Sequence, residues 1–410
     1  MNYRLSQVLS QFSNDLNQDF TADGYATGIT LQEETMRHSK LTLIMLLALS
    51  LTTLNACKND GGTALLGGTM DAPAAEDQID DLMGGQHFYR GNFHSHSGIS
   101  DGEGTATEAF LWARDTVGYD FYAVTDHAEQ IMPSEWDDMA ASARAFNKNG
   151  SFVALRGFEW SSPVYGHVCV WNTENYVNCL TVPSLKLFYA WLASQEGALA
   201  QFNHPGREQE VFSPIGSADD FSYSAKAAAN FCAVETGNKD VGNNDAEYLE
   251  RYHVALDKGW RLAPTTNQDN HTFKTNCHRT VVIAPELSRE AICEALRARR
   301  VYSSDDPNLE LIFKQGESWM GSVIETTEQS VTLTVKVVDD EPTQRLRLIT
   351  NQGAVAAETA CNAKEVVWQP SIELGAGTSY FYVEVTSLNT LDDDEPSQIA
   401  VSAPIWITRQ

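Results

Sequence analysis

The chain has 410 residues, 42% hydrophobic and 10% aromatic, a composition that describes a globular protein long enough for two domains and excludes disorder, collagen and coiled coil. Its 28 Lys+Arg stand against 55 Asp+Glu, a formal charge of -27, so no basic face is left for a polyphosphate backbone and nucleic acid is excluded as a charge-driven partner. An anionic small-molecule substrate would have to be drawn in locally.

Residues 1–35 precede any recognisable signal and read as an over-long gene start. Within residues 36–57 a short basic segment, Met36-Arg37-His38-Ser39-Lys40, leads into the apolar run Leu41 to Leu54. Its 14 residues are too few to cross hydrocarbon about 30 Å thick at about 1.5 Å per residue. The run ends in Leu54-Asn55-Ala56-Cys57, which resembles a bacterial lipobox with Cys57 as the lipidated residue. The expectation is an exported bacterial lipoprotein, periplasmic or outer-membrane-anchored, touching the membrane only through Cys57. Residues 58–86 are rich in Gly, Ala and Asp and predict a flexible tether of about 30 Å r.m.s. reach. Six further cysteines follow: Cys169, Cys179, Cys232, Cys277, Cys293 and Cys361. An even count suits disulfides in an exported protein, with Cys169–Cys179 the most local pair, and buried thiols are the open alternative. None has metal-ligand spacing, and only Cys277 sits beside the polar motifs described below.

From His87 the pattern alternates strand and helix. FYRGNFHSHS precedes the helix TATEAFLWARDTVG, YDFYAVTDH precedes SEWDDMAASARAFNKNG, and FVALRGFEW leads into a hairpin through HVCVWN. The helix SLKLFYAWLASQEG precedes the strand ALAQFNHP, and FCAVETG precedes the helix NDAEYLERYHVALDKG. RLAPTTNQDNH and TVVIAP are strand-like, and SREAICEALRARR is a last helix opened by Ser288. Such alternation predicts an α/β sheet or barrel over residues 87–306. In residues 307–410 short β-rich runs take over, and Val331, Leu333, Val335 and Val337 alternate with Thr332, Thr334 and Lys336 as in a half-buried antiparallel strand. That part predicts a small all-β sandwich domain.

In a parallel α/β barrel the strand C-termini converge on one face, and this chain puts its ionisable residues at those ends. The first strand ends in His94-Ser95-His96, whose imidazoles share a side, with Asp101 in the following turn. Later ends carry Asp126-His127, Glu159 with His167 eight residues on, Asn203-His204-Pro205, and Asp269-Asn270-His271. Packing alone requires no such recurrence. Imidazole mixed with carboxylate, without thiolate, suits Zn, Mn or Fe better than Mg or Ca. Three ligand carboxylates against three divalent ions leave a local positive charge in an acidic molecule, where an anion could bind.

These fragments, in this order, resemble the polymerase and histidinol phosphatase (PHP) family of metal-dependent phosphoesterases. His94-x-His96 with Ser100-Asp101-Gly102 looks like the first family motif, AVTDH with His127 the second, GFEW with Glu159 and then His167 the third, and NHP with His204 and Asp269-x-His271 the later ones. The resemblance spans about residues 88–305. It implies a distorted (β/α)7 PHP-type barrel holding two to three divalent metal ions (Mn, Zn or Fe). One ion would take His94, His96, Glu159 and Asp269, a second Glu159, His167 and His204, and a third Asp101, His127 and His271. The segment ARRVYSSDDPNLELIF, followed by WMGS and a terminal β-domain, further resembles an exported carbaryl-hydrolase-like branch of metallohydrolases.

The function so implied is hydrolysis of a small phosphate ester by a metal-activated hydroxide. Carboxyl, carbamate or amide ester hydrolysis on the same metals is one alternative. A surface-anchored carbohydrate-binding module, using Trp319, Trp368 and Trp406, is another. Three residues are candidates for catalytic support. Asp126 would orient His127 or cap a turn, Arg207 would hold a substrate phosphate or lie on the surface, and Glu235 would contact substrate or steady a ligand. Arg156, Arg207 and Lys274 are the few cations near the strand ends.

Overall fold

The strand β1 (His87–Asn92) sets the register on which the site is built. In the computed structural model, which describes residues 82–206, 217–239, 245–389 and 397–410, β1 pairs in parallel with β2 (Phe121–Val124), Gly91 opposite Phe121. The glycine is needed there because a Cβ would lie 2.2 Å from the Phe121 carbonyl oxygen. β2 pairs in parallel with β3 (Val153–Ser162), which folds back as the antiparallel hairpin partner β4 (Gly166–Trp171). β4 runs antiparallel to β5 (Leu199–Phe202), and β6 (Phe231–Asn238) and β7 (Ala263–Asn267) continue in parallel. A parallel bridge between Ser95 and Asn270 then brings the chain after β7 beside the chain after β1, so the pairings form a ring.

Local signals start the helices around this ring. α1 (Ala106–Trp112) opens on Thr105, whose hydroxyl accepts from the Glu108 N–H while the Glu108 carboxylate accepts from the Thr105 N–H. α2 (Pro133–Phe146) opens on a proline, and α3 (Leu185–Leu192) on Ser184. α4 (Asp245–Asp257) follows β6. α5 (Arg289–Arg297) opens on Ser288, whose hydroxyl accepts from the Ala291 N–H at 3.2 Å, and it ends before the predicted Arg300.

Period-two alternation divides the ring side chains between two cores. From β2, Phe121 and Ala123 join an inner cluster with Phe93, Leu155, Trp171 and Leu199. Tyr122 and Val124 join an outer cluster with Phe110 of α1, Trp136 and Met139 of α2, Phe188 of α3 and Tyr252 of α4. Burial on both faces is why this strand reads as a continuous apolar run.

Beyond the ring, β8 (Arg279–Ala284) runs antiparallel to both β1 and β9 (Val301–Ser304). There follow β10 (Glu310–Gln315), β11 (Ser318–Trp319), β12 (Val323–Thr326), β13 (Ser330–Thr332), β14 (Thr334–Thr350), β15 (Ala354–Trp368), β16 (Ser371–Glu373), β17 (Gly377–Leu388), β18 (Ser397–Ser402) and β19 (Ile405–Arg409). β14 is the hub of this part, antiparallel to β10, β15 and β17. β9 pairs antiparallel with β18, so the C-terminal strands and the ring belong to one large mixed sheet. The inner core runs on into Leu311 and Phe313 of β10 and Val383 and Val385 of β17. The architecture is therefore mixed α/β and rich in strands. Strict strand–helix alternation breaks at the β3–β4 hairpin and at β8, where neighbouring strands are antiparallel.

All described residues fall in one compact unit, Ala72–Gln410, and the signal run, the lipobox with Cys57 and Arg207 lie outside the described residues. Of the predicted tether, residues 82–86 are described, and Met83 is buried in the inner core. Of the two readings left open for the cysteines, the thiol one holds: Cys169, Cys179, Cys232, Cys293 and Cys361 are thiols, and none of the six is in a disulfide. Cys169 is buried opposite Glu159 on the β3–β4 hairpin, whereas the Cys179 N–H donates to Glu129 Oε1, so the two sit in different surroundings. Trp406 is buried, and Trp319 and Trp368 are half-buried against the inner core, which leaves these three without the open stacking face a carbohydrate platform needs. Gly91→Ala is expected to destabilise the protein by about 1–3 kcal/mol through forced separation of β1 and β2. Denaturant unfolding measures it, and an unchanged midpoint would contradict the Gly91–Phe121 register.

Candidate metal centre

Each ring strand delivers its polar residues to the same end. Directly after β1, Phe93 anchors the chain: its N–H donates to Asn267 Oδ1 at 2.8 Å and its carbonyl accepts from Trp171 Nε1 at 3.1 Å. The His96 N–H donates to the Asn270 carbonyl at 2.8 Å, and the Thr125 N–H to the Ser95 carbonyl at 2.8 Å. His94 and His96 are thereby held between the ends of β2 and β7, both buried. Two other members have left-handed backbones that favour glycine, His204 with φ 27° and Asp269 with φ 46°. Strain of this kind persists where surrounding contacts over-determine the backbone, and the His204 N–H is indeed taken up by Glu235 Oε2 at 2.7 Å.

The fully buried Glu159 carboxylate lies at the middle. Its Oε1 is 3.2 Å from His94 Nε2, 3.3 Å from His167 Nδ1 and 3.5 Å from His204 Nε2, and its Oε2 is 2.8 Å from His127 Nδ1. Asp269 Oδ1 stands 3.0 Å from His96 Nε2 and 3.4 Å from His94 Nε2. On the outer side, Asp101 lies 3.3 Å from His271 Nε2, 3.6 Å from His127 Nε2 and 3.7 Å from His96 Nδ1. All nine residues with predicted ligand roles are thus brought together.

The donor set fits divalent metals. His94 Nε2 and His96 Nε2 face each other at 3.2 Å, with oxygens of Asp269 and Glu159 aimed at the same place. Ligand atoms converge within 4.8 Å in the groups His96–Asp101–His127–His271, His94–His204–Asp269 and His127–Glu159–His167, the spacing and chemistry that Zn, Mn or Fe takes. Relative to the partition implied by the resemblance, the outer group gains His96, and His204 groups with His94 and Asp269.

The supporting residues divide differently from expectation. Glu235 is buried, its Oε1 2.9 Å from His94 Nδ1, which leaves His94 Nε2 for the centre. Asp126 does not reach the His127 ring. Its carboxylate accepts from the N–H and hydroxyl of both Ser97 and Ser100, and the Ser100 hydroxyl in turn lies 3.3 Å from His96 Nδ1. Arg156 points away, stacked 3.8 Å over the Trp136 ring and bonded to the Trp136 and Thr173 carbonyls.

Sequence reasoning missed several members. Asn203 donates to Glu159 Oε1 at 2.6 Å and contacts Cys169 Sγ at 3.0 Å, and the Ser161 hydroxyl lies 2.6 Å from His127 Nδ1. Gln201 and Asn267 donate to Glu235 Oε1. Lys239 Nζ sits 3.3 Å from Asp269 Oδ2. Cys169 groups with His94 and Glu159, correcting the reading that only Cys277 neighbours the polar motifs. Hairpin register was the available signal, since it pairs Cys169 with Glu159.

The charges hold one another. Burial works against charge on His127, but Glu159 and Asp101 override it and push its pKa up to about 11. Burial likewise disfavours charged His94, yet Cys169, Asp269, Glu235 and Glu159 carry it well above its usual value. Burial would raise Glu159, but His167, His94 and His127 hold it well below the usual carboxylate range, and Asp269 is held down similarly by His94 and His96. His96 is pushed down by its burial.

No family model matches the sequence, and no curated protein matches it. Among solved structures, the chain is similar to a two-domain protein from Bacteroides vulgatus containing a predicted PHP-like metal-dependent phosphoesterase, at 18% identity over 78% of this chain and 96% of that one, with a TM-score of 0.43. A chitin-binding domain from Burkholderia pseudomallei (6% identity, 22% of this chain, 58% of that one) and a lytic polysaccharide monooxygenase from Jonesia denitrificans (10%, 23% and 63%) each match with a TM-score of 0.16. At these levels the likenesses carry none of the argument for the site, which stands on its side-chain geometry.

The raised histidines of the metal-free centre stabilise the fold fully below their ordinary pKa of about 6.5, and that contribution fades as pH rises toward their folded values. The lowered carboxylates contribute above about pH 4.5 and lose their contribution as pH falls. In chelator, the thermal midpoint is therefore expected to peak between about pH 4.5 and 6.5 and to decline toward pH 9. A midpoint climbing from pH 6.5 to 9 in chelator would contradict the charge arrangement.

Proposed function

We propose that this chain is a PHP-type metal-dependent phosphoesterase, exported and anchored at Cys57. In this reading the β1–β7 ring is a distorted seven-stranded barrel within residues 87–306, and residues 307–410 are an appended β-sandwich. The observation that carries the proposal is the convergence of His94, His96, Asp101, His127, Glu159, His167, His204, Asp269 and His271 at one end of the ring. Two to three divalent ions bound there would supply Lewis acidity toward an ester oxygen and lower the pKa of water.

The chain's own residues prepare the site for that chemistry. Glu235 holds the proton on His94 Nδ1, Asp126 ties down the turn that carries His96 and Asp101, and Asn203 and Ser161 orient Glu159 and His127. A cavity of about 280 Å³ opens beside Asp269 and His271, bordered by Lys239 and Lys274. Two cations at the mouth of an acidic protein favour an anionic phosphate ester over a neutral carboxyl or carbamate ester.

Nitrophenyl phosphate and nitrophenyl acetate, offered separately to the metal-loaded protein, test the bond type. Phosphate turnover, lowered at least about 100-fold in Asp269→Ala, is expected, and Glu235→Gln should cost about 10–100-fold. Acetate turnover alone, lost in Asp269→Ala, would move the chain to the carboxyl ester class. Phosphate turnover at full rate in Asp269→Ala would overturn the site.

A further inference from the structure

A second group of ligand-type side chains lies outside the histidine centre and begins in the segment SSDDPNLEL, none of whose residues belongs to that centre. Asp306, in the loop between β9 and β10, meets Asp339 and Glu341 of β14, with ligand oxygens within 4.8 Å of one another. The β14–β15 register shifts between Val338 and Thr343, so these acidic residues fall in an irregular stretch that re-aims side chains out of the ladder.

Clustered acids alone say little, but their burial says more. Asp339 is only 6% exposed, and neither of its carboxylate oxygens has a hydrogen-bond partner. An unpaired buried carboxylate is strongly disfavoured unless a cation or a proton compensates it. Asp306 is 1% exposed, and its Oδ1 accepts from the Asn308 and Leu309 N–H groups, which orients the carboxylate. Burial, with Asp339 and Glu341 alongside, pushes Asp306 up to about 7. The buried Gln398 amide ends 3.1 Å from Asp306 Oδ2 and 3.2 Å from the Leu388 carbonyl. With its nitrogen inward it donates to both, and with its oxygen inward it adds a neutral oxygen ligand. Two nearby cations are engaged elsewhere: Arg90 lies on Glu310 and the Asn308 carbonyl, and buried Lys336 lies on Glu365, while Lys364 acts on the neighbouring Asp340.

We propose that Asp306, Asp339 and Glu341 form a binding site for a hard divalent cation, calcium, that ties the β9–β10 loop to β14. All-oxygen donors of this charge suit Ca²⁺, whereas the imidazole-rich centre suits Zn or Mn, so one chain would hold two kinds of metal site. The bound ion would brace the junction where the ring strands give way to the C-terminal strands. It would act on stability and leave the chemistry to the histidines.

The test is calorimetric titration of Ca²⁺ into the full chain already loaded with Zn²⁺, together with thermal melts in Ca²⁺ and in chelator. One Ca²⁺ per chain should bind and raise the midpoint, His94→Ala should keep that response, and Asp339→Asn should weaken binding at least about tenfold. Asp339→Asn should also raise the midpoint of the Ca²⁺-free protein, because it removes the unpaired buried charge. Glu341→Gln serves as a second variant if Asp339→Asn fails to fold. Absence of Ca²⁺ uptake, uptake unchanged in both variants, or a thermal midpoint that Ca²⁺ leaves unmoved would overturn the proposal.

Discussion

Everything in the centre depends on one constraint: the Glu159 carboxylate is fully buried and must be surrounded by compensating charge. A lone carboxylate in that position would be strongly disfavoured. Four imidazoles, from His94, His127, His167 and His204, reach it at 2.8–3.5 Å, each from a different strand end or strand. Because these side chains sit on β4 or shortly after β1, β2 and β5, Glu159 is satisfied only when β1 to β5 have come together. Ring closure then brings up Asp269, through the bridge that joins Ser95 to Asn270.

The ring separates stability from chemistry along each strand. Apolar residues in the strand bodies fill the inner and outer cores, and polar residues begin where the strands end. β6 shows the change within eight residues: Phe231, Ala233 and Val234 pack in the cores, and Glu235 and Asn238 belong to the network under His94 and His204. Asn92, Gln201, Asn203 and Asn267 form a buried layer of amides beneath the imidazoles. Such a layer is costly unless every member is satisfied, and satisfied it fixes each ring in one orientation.

Much of this was legible in the sequence because period-two alternation and strand-end placement are local properties. HSH, TDH, FEW, NHP and DNH name seven of the nine converging residues without a structure, SDG and YGH supply Asp101 and His167, and Ser288 announces its helix. What escaped depends on register across strands. Cys169 belongs to the centre because the hairpin sets it opposite Glu159, and nothing in its neighbours along the chain says so. Asp126 looked like a partner of His127 by adjacency, yet consecutive residues of an extended segment point to opposite sides, and its carboxylate faces Ser97 and Ser100. The mixed sheet escaped for the same reason, since the β9–β18 pairing joins residues almost a hundred positions apart. An even cysteine count suggested bridges that the geometry does not make.

The central claim is that the buried imidazole and carboxylate cluster exists to hold transition metal. The most direct measurement is elemental analysis of the purified protein beside Glu159→Ala, after dialysis against metal-free buffer. Two to three equivalents of Zn, Mn or Fe per chain, with at least one equivalent lost in Glu159→Ala, is the result the proposed function predicts. Wild-type protein that reproducibly holds none of these metals after exposure to each of them, or a variant that keeps the full complement, would contradict it.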